Sequence, residues 1–162
     1  MGRPWQRKFL GYSVCNRKQN IRLRIAPAVL MRFKKDVKNT LRSARGWAIH
    51  RTVNKLNFKL RGWITYFRYI NVKNVLLELD GWLRRHLRKI LWRQWKRVYT
   101  RIKRLVASGI DDTRAATSAV NGRGPWFNSG ASHMNQALPK KFFDNLGLVS
   151  LIDYYQRLKY QI

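Results

Sequence analysis

Side chains able to do covalent chemistry are few in this chain and poorly grouped for it. Its seven acids are Asp36, Glu78, Asp80, Asp111, Asp112, Asp144 and Asp153, and its three histidines are His50, His86 and His133. Adjacent Asp111 and Asp112 could share a hard cation. At the start of an amphipathic run they read first as helix-start acids, which the helix dipole favours. His133 with Asn135 resembles half of a nuclease motif, but no acidic ligand stands nearby. No histidine has a Cys or His partner at ligand spacing. Cys15 is alone, so neither a disulfide framework nor a thiolate zinc site is available. No Ser or Thr sits in a nucleophile elbow. Gly122-Arg123-Gly124 is too short to be a phosphate loop with its lysine. The sequence therefore supplies no catalytic residue, no metal site and no cofactor site of its own.

Binding chemistry is another matter. From Asn71 to Ser108, apolar residues recur at Val75, Leu79, Leu83, Leu87, Ile90, Leu91, Val98, Ile102 and Leu105. Steps of three and four put them on one helical face. The rest of that surface carries Arg84, Arg85, Arg88, Lys89, Arg93, Lys96, Arg97, Arg101, Lys103 and Arg104, and no acid occurs from Gly81 to Gly109. A solvated helix face normally mixes both signs. Guanidinium groups bind phosphate and aromatic rings stack on bases. Those ten cations, with Arg61, are the candidate RNA-backbone contacts. Trp82, Trp92 and Trp95 lie among them, and Trp92 and Trp126 are the candidates for base stacking. Asp80 reads as a structural partner or helix-start acid, and Trp63 and Phe67 read as core.

Composition agrees. In 162 residues, 35 Lys and Arg face 7 acids, a formal net charge of +28, while 45% of residues are hydrophobic. A core is available, so global disorder is excluded, and self-repulsion at that charge calls for a neutralising partner. RNA or DNA fits best. An anionic membrane surface is weaker, because the cations accompany a foldable core rather than a short amphipathic peptide. No apolar run approaches the roughly 20 residues that span a bilayer, and Met1 leads into GRPWQRK without an apolar signal region. A cytoplasmic setting is the expectation.

The elements that must position these residues follow from spacing. Residues 8–25 alternate as a β-hairpin around a polar turn at Asn16–Asn20. Pro27 suits the first turn of a helix that carries Val29, Leu30, Phe33, Val37 and Leu41 inward and stops near Gly46. A second helix runs from about Arg51 to Tyr69, on Val53, Leu56, Leu60, Trp63 and Phe67. The third is either one extended helix or a helix broken near Tyr99 and Thr100. Beyond Gly109, helices are expected at Asp111–Val120, Met134–Leu138, Lys140–Asn145 and Ser150–Lys159, with an open loop at NGRGPWFNSGAS. The expected class is mainly α: a hairpin over 1–26, a three-helix bundle over 27–107 and a small C-terminal helical unit over 108–162.

Residues 56–97, LNFKLRGWITYFRYINVKNVLLELDGWLRRHLRKILWRQWKR, resemble the maturase-specific domain (domain X) of group II intron-encoded proteins. The likeness rests on Leu60-Arg61-Gly62-Trp63 with Tyr66-Phe67, Asp80-Gly81-Trp82 with Arg84-Arg85, and Leu91-Trp92 with Trp95-Lys96. Gly147-Leu148 and Leu151-Asp153-Tyr154-Tyr155 extend it, and KFLGYSV at 8–14 is similar to the last block of a reverse transcriptase palm. The resemblance implies a thumb-like RNA-binding bundle that grips intron RNA, helps it splice and closes on a template–primer duplex. It favours a break near Tyr99, where relatives carry a proline that this chain lacks.

The departures are equally specific. The Tyr-x-Asp-Asp polymerase signature is absent: the Asp-Asp pair is 111–112 and Gly109 stands two places before it. Polymerases hold two Mg²⁺ with such carboxylates, so this chain alone is expected not to polymerise, and Mg²⁺ would enter only with bound RNA or a separate palm. No fingers, no complete palm and no zinc-bearing endonuclease tail are found in this sequence. The expectation is the C-terminal part of a maturase–reverse transcriptase, whether from a truncated gene, a split gene or an excised fragment. Three readings follow. The first is an RNA-binding splicing module in a ribonucleoprotein with group II intron RNA. The second is a thumb bound to an RNA–DNA duplex, with palm and fingers supplied in trans against an apolar patch of Phe9, Leu10, Tyr12 and Ile21. The third is an inert, polyanion-sticky remnant.

Overall fold

The computed structural model describes residues 10–17 and 20–160. Phe9, Lys18 and Gln19, and the side chain of Ile21, lie outside the described part. The expected mainly α class with one N-terminal hairpin holds. Strands β1 (Tyr12–Arg17) and β2 (Asn20–Ile25) pair antiparallel, with Tyr12 opposite Ile25 and Arg17 opposite Asn20. Among the described residues no third strand joins them. A free hairpin is marginal in water, and this one is anchored at its open end. Tyr12 packs edge-on against Phe67 at 5.3 Å and stacks with Tyr66 at 5.9 Å. The Tyr12 hydroxyl donates to the Tyr66 carbonyl (3.0 Å), and the Tyr66 hydroxyl donates to that of Leu10 (2.7 Å).

Helices α1 (Pro27–Ser43), α2 (Ile49–Phe67) and α3 (Lys73–Gln94) form the bundle. Their inward residues are those that spacing selects: Phe33, Val37 and Leu41; Val53, Leu56, Leu60 and Phe67; Leu79, Leu83, Leu87, Ile90 and Leu91. Trp63 is half-buried and stacks on Phe33 at 4.4 Å. Val98, by contrast, is exposed. The third apolar run is a broken helix: α3 ends at Gln94 and α4 (Val98–Ala107) begins after three intervening residues. The break falls at Trp95–Arg97, slightly before Tyr99, and needs no proline. Trp95 turns inward and is buried, and its carbonyl, freed from the helix ladder, accepts from Arg101 Nε at 2.9 Å.

The remaining helices are α5 (Asp112–Val120), α6 (Pro125–Gly130), α7 (Ser132–Ala137), α8 (Lys140–Asn145) and α9 (Leu151–Tyr160). Asp111 caps α5 by accepting from Arg114 N, the helix-start role expected of it. Helix α6 replaces part of the expected loop. Pro125 opens it, and fully buried Asn128 ties the preceding turn through Asn121, Arg123 O and Gly124 O.

Two clamps fix the C-terminal segment to the bundle. Asn57 on α2 donates to Gly147 O (2.7 Å) and accepts from Val149 N (2.9 Å). Gly147 ends α8 at φ +80°, a conformation that L side chains resist. Buried Asp80 on α3 accepts from Leu151 N (2.8 Å), Ile152 N (3.2 Å) and Ser150 Oγ (2.9 Å), which caps α9 from outside. Burial pushes the Asp80 carboxyl pKa up, against the downward pull of those donors. One hydrophobic cluster runs from Ile25 to Tyr155.

Candidate nucleic-acid interface

A cleft of about 940 Å³ opens between α1, the α1–α2 connection, α3 and α6. Its floor is one stripe of α3. Trp82, His86, Lys89, Ile90 and Arg93 follow helical spacing, so they point the same way beside the core stripe Leu79–Leu83–Leu87. Lys38, Leu41 and Arg42 of α1 form one wall, which Arg45 to Ala48 extend. Trp126 of α6 forms the other, and Gln94 and Lys96 close the end. Gln94 Nε2 donates to Trp47 O at 2.9 Å and so ties the α1–α2 connection to the end of α3.

The cleft has six cationic side chains in its lining and no acid. Five of the seven acids are engaged in structure elsewhere: Asp36 with Lys59 at 2.7 Å, Asp144 and Asp153 with Lys140, Asp80 and Asp111 at helix starts. Partial burial, and then the nearby charges of Arg93, Arg45, Lys38 and Arg42, hold the Lys89 amine below its usual pKa. Like charges crowd there with no acidic side chain in the lining to offset them, which gives the cleft a positive potential.

Three indoles are interleaved with these charges. Trp47 has Arg51 over its ring at 4.2 Å and Lys55 at 4.9 Å. Trp82 is approached by Lys34 (5.8 Å) and Lys38 (6.0 Å). Trp126 is 41% exposed, and the Arg85 guanidinium lies over its ring at 4.1 Å. Arg85 also donates to Trp126 O at 3.3 Å. Gly130 leaves the room this needs, since a Cβ there would stand 2.9 Å from Arg85 Cζ. Between Trp82 and Trp126, at 4.4 and 4.9 Å, sits His86. Burial, reinforced by Lys89, Lys38 and Arg85, lowers its pKa to about 4, so it is neutral at physiological pH.

The structure sorts the sequence-derived candidates. Lys89, Arg93, Lys96 and Trp126 meet in the cleft. Arg61, Arg97, Lys103 and Arg104 are exposed elsewhere, and Arg84 is half-buried near Asp80. Arg88 is corrected: it is 8% exposed, and its Nε and Nη2 both donate to Leu138 O at 3.0 and 2.8 Å. Burial lowers its pKa to about 10, which leaves it charged. Arg101 is likewise committed, to Trp95 O and Ala119 O. Trp92 is corrected as well: at 1% exposure, against Trp95, His133 and Arg101, it has no face open to a base. His133 is buried beside it, away from any acid cluster. Sequence reasoning missed Trp47, Lys38, Arg42 and Arg45 as site residues. The Trp82–His86–Lys89–Arg93 spacing was the available signal for the floor; nothing local announces the wall.

Residues 30–107 match the family model of the group II intron maturase-specific domain. That span contains nearly all of α1, and α2, α3 and α4 with most of the cleft lining; Trp126 lies beyond it. Comparison with curated proteins finds no match to the chain.

Proposed function

Because residues 30–107 match the group II intron maturase-specific domain, we propose that the chain binds group II intron RNA and assists its splicing, with the chemistry left to the RNA. The observation that carries this reading is the acid-free cleft, six cations deep and lined by three indoles. Phosphate neutralisation by Lys and Arg supplies affinity, and the concave surface with its aromatic walls supplies selectivity for the loops, bulges and ends that a folded RNA holds in fixed positions. No residue of the cleft is assigned a covalent step.

The test is binding to a folded group II intron RNA against an equal-length unstructured RNA across a salt series. Tighter binding to the intron that survives moderate salt is the expected result. Equal binding that collapses along one salt slope would sink the splicing reading and leave a generic polyanion surface. The hairpin favours a second reading, a reverse transcriptase thumb completed by a separate palm. It pairs with no third strand among the described residues, and Leu10 and Leu23 are 67% and 51% exposed. A chain carrying Tyr-x-Asp-Asp should then co-purify with this one and need it for primer extension.

A further inference from the structure

We propose that the cleft holds unpaired RNA nucleotides, with a base stacked on Trp126 and the flanking phosphates on Lys89 and Arg93 of the floor and Arg42 of the α1 wall. This rests on the RNA-binding reading and narrows it to a single-strand or extrahelical site.

Cations stand on the α1 wall and on the α3 floor, which meet at an angle, rather than along one flat face. A single strand lying between them presents phosphates to both. A duplex offers its phosphates on the outside of a wide cylinder and can touch only the rim of such a slot. The volume, about 940 Å³, is at the upper end of the roughly 300–1,000 Å³ of small-ligand sites, enough to enclose nucleotides but not a helical turn.

The indoles give the second argument. A ring face is useful to RNA only where a base has left its own stack, as in loops, bulges and ends. Trp126 is 41% exposed, and its ring is held before any RNA arrives. Arg85 covers it at 4.1 Å, His86 abuts it at 4.9 Å, and the Trp126 carbonyl accepts from Arg85 and from Ser129 Oγ (2.7 Å). A platform ordered in advance loses little freedom on binding.

The experiment compares a short single-stranded RNA with a blunt RNA duplex of equal phosphate number, by indole-emission titration and by competition. Wild type is expected to bind the single strand more tightly and to lose emission as it does. Trp126→Ala should lower single-strand affinity about 5- to 150-fold, the range of one base–aromatic stack, while duplex affinity and the salt slope stay unchanged. Trp126→Phe should recover part of the loss with less quenching, and thermal melts of both variants separate stacking from unfolding. Equal affinity for the two RNAs, or a Trp126→Ala loss shared by both in a folded protein, would overturn this proposal while sparing RNA binding. No binding of either RNA by wild type would overturn the RNA-binding reading itself.

Discussion

Helix α3 carries cations and indoles on two flanks that do opposite things. Toward α1, Lys89 and Arg93 line an open cleft beside Trp82. Toward α7, one residue away in sequence, Arg88 is sealed on the Leu138 carbonyl and Trp92 is packed against Trp95 and His133. The residue types are the same. What separates them is the presence of a neighbour with backbone carbonyls to satisfy. The C-terminal helices claim one flank of α3 as an interior, and the connection between α1 and α2 holds the other apart. A run of Arg and Lys is therefore not a uniform surface. Part of it is structural mortar, and the count of cations overstates the number available to RNA.

The contrast breaks most visibly at Trp92. Trp92→Ala should cost about 3–5 kcal/mol through lost burial and a cavity, a fall of about 6–20 °C in the melting midpoint. Circular dichroism melts check it, and a loss below about 1 kcal/mol would return Trp92 to the surface. Arg88→Ala comes next. It removes both donors from the Leu138 carbonyl and should cost about 1–3 kcal/mol. Per folded molecule, RNA affinity at low temperature should change little. On the open flank the pattern inverts. Lys89→Gln with Arg93→Gln should leave stability within about 0.5 kcal/mol, yet flatten the salt dependence of RNA binding by about one phosphate each. A double variant that melts early but binds normally would erase the distinction between the flanks.

How far the sequence reaches follows the same division. Apolar spacing finds the helices and most of the core, because period and burial are coupled wherever one face is inside. It fails where two faces are inside. Arg88 and Trp92 directly follow the core residues Leu87 and Leu91, and only the fold reveals that α7 covers them. The open loop expected at residues 121–132 holds α6, because Asn128, inside the segment, buries its amide on Arg123 O and Gly124 O and so ties down the turn that precedes the helix. The break in the third helix is three residues from Tyr99, because an inward Trp95 and a distant Arg101 end it, not local propensity. Trp126 was legible as a stacking candidate; its partner wall, with Trp47 and Arg42, required α1 to be folded against α3.

The smallest effect tests whether the open flank is half-dry before RNA arrives. His86 lies between Trp82 and Trp126 with its pKa lowered to about 4 by burial and by Lys89, Lys38 and Arg85. The unfolded chain binds a proton at this residue near pH 6.5. Between pH 6.5 and 4 the unfolded state thus holds more protons than the folded one, and stability falls as pH falls. Buried His133, whose pKa burial also lowers, acts in the same direction, while the Asp80 carboxyl, whose pKa burial raises, acts against both and leaves the difference between wild type and His86→Gln as the readout. Denaturant melts from pH 7 to 4 should show the decline, and His86→Gln, which stays neutral, should make it shallower without removing it. An unchanged slope in His86→Gln would mean that the imidazole is already wet, and that the cleft floor between Trp82 and Trp126 is as open to solvent as the cations beside it.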